Sequence, residues 1–172
     1  MHNSLVLDVT GEKDVEGQPI GVANNTGKKN QRWKILYIDE KEKTETKGLN
    51  EEFGFHINRP FYIVSQLPFN RVIEWLDHAN DYKRYKTNAV IRRWKKNRKQ
   101  QQFWFDEVSK TIRNNFNKNY CIDIYNNGAG TRLRMNGVTS RWYQLWRKDG
   151  DYIVNIKNKS VFDVKDGLDN EN

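Results

Sequence analysis

Hydrophobic residues in this chain come in short bursts that often alternate with polar ones: "LVLDV", "WKILYI", "FYIV", "RVIEWL", "QFWFDEV", "YCIDIY", "YIVNI" and "SVFDV". Runs this short, rich in Val, Ile and aromatics, read as strands. Turn-forming clusters separate them: "NNTGKKN", "YNNGAGT", "MNGVTS" and "KDGD". No segment keeps a helical period for more than about two turns. "NRVIEWLDHANDYKRY" comes closest, but its opening repeats a strand pattern found elsewhere. The expectation is an all-β chain.

The strands repeat. A hydrophobic–acid–hydrophobic pattern occurs at Leu5–Val9 (acid Asp8), Arg71–Trp75 (Glu74), Tyr120–Ile124 (Asp123) and Ser160–Val164 (Asp163). Gln-x-Trp follows the first three, at Gln31-Arg32-Trp33, Gln102-Phe103-Trp104 and Gln144-Leu145-Trp146. Repetition of this kind is settled before fold, because units that cannot bury an apolar face alone can do so together. The units fall at about 1–60, 61–108 and 109–150. The longest insertion, "DEKEKTETKGLNEEFGFHINRP", lies in the first. Residues 151–172 then supply a closing strand, Asp151–Val154, and the start of a fourth copy, "SVFDV". That surplus strand must lie unpaired, displace Leu5–Val9 or enter a neighbouring molecule, and it predicts a tandem or head-to-tail neighbour of the same kind, with Ser160–Asn172 dispensable to this domain.

The three Gln-x-Trp motifs, each behind its acid-bearing strand, make the chain similar to the ricin B-type lectin domain over essentially its whole length. The resemblance implies a single β-trefoil of three pseudo-repeats, closed on itself with few exposed edges. It also implies that Trp33, Trp104 and Trp146 pack near a common axis. A sugar pocket of that family uses an acid on the first strand, an Asn-Gln pair at the start of Gln-x-Trp, and a hairpin aromatic that stacks on the sugar. Burying a hydroxylated ligand is favourable only when its polar partners are all present.

Carried over residue by residue, the first unit offers Asp8, Asn30 and Gln31, with no hairpin aromatic near Gly21–Asn24. The second offers Glu74, Gln101-Gln102 and Trp94, the tryptophan one place out of register. The third offers Asp123 and Gln144, with Tyr143 in place of Asn and Met135 or Asn136 in place of the aromatic. No unit is intact. The acids and glutamines therefore also have a structural reading, as partners for turns and core.

Charge changes the picture in one place. Lys+Arg 30 against Asp+Glu 22 gives a net charge of +8, which favours anionic partners. The excess concentrates in "KRYKTNAVIRRWKKNRK", where Arg92, Arg93, Lys95, Lys96, Arg98 and Lys99 surround Trp94. Interleaved aromatics give it the look of a nucleic-acid patch, yet no nucleic-acid motif accompanies it. A glycan or an acidic protein surface suits it as well.

Catalysis finds no foothold. His2, His56 and His78 have no metal-ligand spacing among themselves or with Cys121, and no phosphate loop or nucleophile elbow occurs. No cofactor or metal is expected. A single cysteine leans towards a reducing compartment, and no signal peptide or membrane-length apolar run is visible. Together these predict a cytoplasmic protein with no membrane insertion. Two functions follow as expectations. One is a non-catalytic carbohydrate-binding module with degenerate pockets. The other is a scaffolding trefoil that docks on an acidic, cytoskeletal-type assembly through basic hairpins.

Overall fold

The computed structural model describes residues 15–38, 49–50, 52–57, 59–76, 88–126 and 131–164. All regular structure among them is strand or short 3-10 turn, arranged as a β-trefoil: a curled sheet of twelve strands with a separate two-stranded ribbon. Chain order runs β1 (Ile20–Ala23), β2 (Trp33–Tyr37), β3 (Leu49–Asn50), β4 (Phe55–His56), β5 (Phe61–Ser65), β6 (Val72–Trp75) and β7 (Ala89–Arg92). It continues with β8 (Phe103–Asp106), β9 (Thr111–Asn114), β10 (Tyr120–Asn126), β11 (Thr131–Gly137), β12 (Trp146–Asp149), β13 (Tyr152–Asn155) and β14 (Val161–Val164).

One pairing scheme recurs three times. An acid-bearing strand pairs antiparallel with the next strand: β6 with β7, β10 with β11, and β14 with β1. A 3-10 turn follows, at Lys99–Gln101, Trp142–Gln144 and Lys29–Gln31, and leads into a second antiparallel pair. Those pairs are β8 with β9, β12 with β13, and β2 with β5. The last strand of each set then pairs with the acid-bearing strand of the following set, as β5 does with β6, β9 with β10 and β13 with β14.

This scheme gives Val161–Val164 a different place from the one expected. It is not a surplus strand outside the barrel. It pairs with β1 over four residues, Ile20 opposite Val164 through Ala23 opposite Val161, and all four of its side chains are buried. Leu5–Val9 lies outside the described residues, as do the segments 77–87 and 165–172. The physical reason is burial. Phe162 packs edge-on against Trp146 at 4.6 Å and against Trp33 at 6.4 Å between ring centroids, and it is wholly inaccessible.

The core also corrects the second Gln-x-Trp. Trp33 and Trp146 are buried, and their indole Nε1 groups donate to Phe162 O (3.1 Å) and Ile122 O (3.0 Å). The equivalent position is Phe103, also wholly buried, one residue before Trp104. The 3-10 turn ends on Gln101, so the motif reads Gln101-Gln102-Phe103. Strand alternation then turns Trp104 outwards. Its half-buried ring lies beneath the Arg113 guanidinium at 5.4 Å and the Lys118 ammonium at 5.6 Å.

The insertion of the first unit is more than a charged loop. Phe53 and Phe55 enter the core, and Phe55 stacks between Phe61 and Phe105 at 5.5 and 4.7 Å. Gly54 makes that approach possible. Its φ is +70°, and a Cβ there would stand 2.7 Å from the Lys148 carbonyl oxygen.

Candidate functional site

Each unit holds one buried acid beside the glutamine that closes its 3-10 turn. The glutamines act alike. Gln31, Gln101 and Gln144 are all wholly buried. Their Oε1 atoms accept the backbone N–H of Thr26 (2.7 Å), Lys95 (2.9 Å) and Thr139 (2.8 Å). Their Nε2 groups donate to the carbonyls of Asn24 (2.9 Å), Arg93 (2.8 Å) and Gly137 (2.9 Å). Each glutamine thus staples the chain leaving its hairpin, satisfying backbone groups that burial would otherwise strand.

The acids are engaged from within. Asp123, wholly buried, accepts Gln144 Nε2 (2.9 Å) and Asn136 Nδ2 (3.1 Å) on Oδ2 and Arg134 Nε (3.2 Å) on Oδ1. Glu74, 5% exposed, accepts Gln101 Nε2 (2.7 Å) on Oε2 and Arg98 Nη2 (2.9 Å) on Oε1. In the first unit the acid beside Asn30 and Gln31 is Asp163, whose Oδ1 accepts Asn30 Nδ2. Asp8 was the expected acid there and lies outside the described residues. The sequence shows Asp163 in the same acid-bearing pattern as Asp8, in the last of its four copies.

The remaining candidates separate. Gln102 is not the stapling glutamine. It is buried, donates from Nε2 to the Tyr62 hydroxyl (3.2 Å), and accepts Asn115 Nδ2 on Oε1 (2.9 Å). The Trp94 ring contact among the described residues is with Tyr62. Trp94 is 51% exposed, and the two rings meet edge-on, 6.1 Å between centroids at 76°. Met135 is core, and Asn136 is spent on Asp123. Tyr62, which joins Gln102 to Trp94, was missed by sequence reading, since "FYIV" marks only a strand.

The basic residues form a continuous surface. Arg93 through Lys99 are all exposed, on a turn held by Asn97 at φ +60°. Glu16 lies 3.7 to 3.8 Å from Arg71, Arg92 and Arg93, and Arg98 pairs with Glu74. No ion pair among the described residues involves Lys95, Lys96 or Lys99.

Between this turn and β2 lies a cleft of about 260 Å3, with Trp94, Lys96 and Asn97 on one side and Leu36, Tyr37 and Tyr62 among its other walls. Leu36 is 48% exposed. The Tyr37 hydroxyl accepts the His56 N–H (2.9 Å), and burial pushes its pKa above the ordinary value, so it is a neutral wall. Among the described residues, no cluster of three His, Cys, Asp or Glu side chains could hold a metal ion, and no helix is long and apolar enough to cross a membrane.

A family model for the ricin-type beta-trefoil lectin domain matches residues 74–172, from Glu74 through the β14 strand. No curated protein and no solved structure matches the chain.

Proposed function

Because the chain belongs to the ricin-type beta-trefoil lectin domain family, we propose that it is a binding module that engages an anionic partner through the Arg93–Lys99 turn. The observation that carries this reading is the state of two of the acids, Glu74 and Asp123. An acid that already accepts an arginine and an amide in the interior has little capacity left for sugar hydroxyls, and breaking those bonds would leave a buried charge uncompensated. The acid-centred pockets serve as braces. The exposed lysines of the turn are the groups left to meet a ligand, and their charge draws anions from a distance.

This reading favours recognition of negative charge over recognition of neutral sugar hydroxyls. It is tested by retention on immobilised heparin. Reversing Lys95, Lys96 and Lys99 to Glu should abolish retention at physiological salt. Reversing the exposed Lys29, Lys157 and Lys159 removes the same charge elsewhere and should only weaken it. Equal loss from both triple variants would reduce the effect to net charge and sink the reading. Wild-type retention should also fall steeply with salt, as counterion release requires.

A further inference from the structure

We propose that the cleft between Trp94 and Leu36 is a binding site for one acidic pyranose, a uronate, sialate or sulfated sugar residue, distinct from the three acid-centred positions. The proposal rests on the reading above that the Arg93–Lys99 turn meets an anionic partner, and it names the chemistry of that ligand.

Three features point to a sugar ring. Trp94 leaves about half of its surface to solvent while its ring is fixed at a near-right angle to that of Tyr62. Tyr62 is fixed in turn: its hydroxyl takes the Gln102 amide, and Gln102 is held by Asn115. The indole is thus a pre-oriented platform, which lowers the entropy lost on binding. Exposed indole faces offer large apolar contact to a ring that is itself apolar on one face and polar at its rim. Leu36, exposed on the opposing strand, narrows the cleft from the other side. At about 260 Å3 the space falls just below the roughly 300–1,000 Å3 usual for drug-sized ligands, which suits a single ring.

Two features point to a negative charge on that ring. Among the described residues no carboxylate lines the cleft, so hydroxyl donors of a neutral sugar meet few acceptors there. Among the described residues the charged group at the rim is the Lys96 ammonium, and the Asn97 amide offers N–H donors beside it. A carboxylate or sulfate satisfies both, and a charge-assisted bond from lysine is stronger than a neutral one. Lys95 and Lys99 on the same turn add field without touching the ring.

The test is titration of the whole chain, followed by amide and indole N–H resonances, with four probes: methyl glucuronide, methyl sialoside, 6-sulfated methyl glucoside, and neutral methyl glucoside. At least one acidic probe should shift the Trp94 indole resonance, assigned by its disappearance in Trp94→Phe, and the neutral glucoside should bind at least tenfold more weakly. Trp94→Ala should weaken the acidic probe by tenfold or more, and Lys96→Gln by about fivefold, with melting temperatures close to that of the unmodified protein. If none of the acidic probes moves that resonance, or Trp94→Ala binds as well as the parent, the site assignment is overturned. A polyglutamate peptide that shifts Trp94 when no sugar does overturns it too, and makes the cleft a peptide site. Heparin retention that still depends on Lys95, Lys96 and Lys99 in that case leaves the anionic-partner reading standing. Retention indifferent to those lysines removes that reading instead.

Discussion

Arg134 stands directly across the β10–β11 hairpin from Asp123, and its Nε donates to the buried carboxylate at 3.2 Å. Arg134 keeps a quarter of its side chain in water, whereas Asp123 keeps none. The pair is therefore asymmetric: the arginine could be resolvated if the acid were lost, but the acid could not be if the arginine were lost.

Arg134→Ala should accordingly lower stability by about 3 kcal/mol, the scale found when one partner of a buried pair is removed. Asp123→Asn should cost less, because the remaining charge can reach solvent. Urea titrations of both variants check the order. An Asp123→Asn protein as stable as its parent would mean that the carboxylate serves something other than the fold.

Phe103 and Trp104 are neighbours with opposite fates, and substitution should separate them. Phe103→Ala empties a wholly buried site and should cost about 3–5 kcal/mol. Trp104→Ala loses half-exposed contacts with Arg113 and Lys118, each worth about 0.5–1 kcal/mol, and should cost far less. Trp146→Ala should resemble Phe103→Ala. Thermal melts that ranked Trp104 with the core residues would contradict the register described for the second unit.

The Cys121 thiol is pushed up to about 12, first by burial and second by the nearby Asp123 carboxylate, with Arg113 opposing. Its thiolate is scarce at neutral pH, so a disulfide reagent should leave it intact in the native protein and modify it after denaturation. The sign for stability follows. The native state holds this proton more tightly than the unfolded chain, so the contribution is complete below the ordinary thiol value of 9.0 and is lost as pH rises towards about 12. Cys121→Val should flatten that part of the stability profile. Rapid native labelling near neutral pH would contradict the assigned environment.

Much of the architecture was legible because trefoil units announce themselves by repetition. Alternating bursts marked the strands, and the acid-bearing pattern marked the first strand of each unit. Register was harder. "QQQFWF" contains two overlapping Gln-x-aromatic frames, and the more familiar one, ending in Trp104, is not the frame that fills the core. Only the 3-10 turn ending on Gln101 selects the other. The cleft was illegible for a different reason. Leu36, Tyr62 and Trp94 come from three strands or turns distant in sequence, and adjacency of that kind is created by closure of the sheet. The braces around the acids were half visible: residue types indicated hydrogen-bonding capacity, but not that Arg98 and Arg134 would consume it.

The β14 strand yields the prediction that departs furthest from the sequence reading, in which Ser160–Asn172 could be removed without harm. Truncation after Lys159 should unfold the domain. It deletes Phe162, which contacts both buried tryptophans and supplies the carbonyl that Trp33 Nε1 binds. It deletes Asp163, the partner of buried Asn30, and strips β1 of its longest pairing. Loss of Phe162 alone is worth about 3–5 kcal/mol, a large part of the 5–15 kcal/mol that a domain of ordinary stability possesses. Phe162→Ala, a milder change, should remain folded but melt well below the parent, which separates loss of this strand from a general effect of shortening the chain. Circular dichroism and gel filtration of both proteins check the outcome. A folded, monomeric truncation would mean that another segment can occupy the position beside Ile20–Ala23, and that Val161–Val164 is one of two alternatives for it.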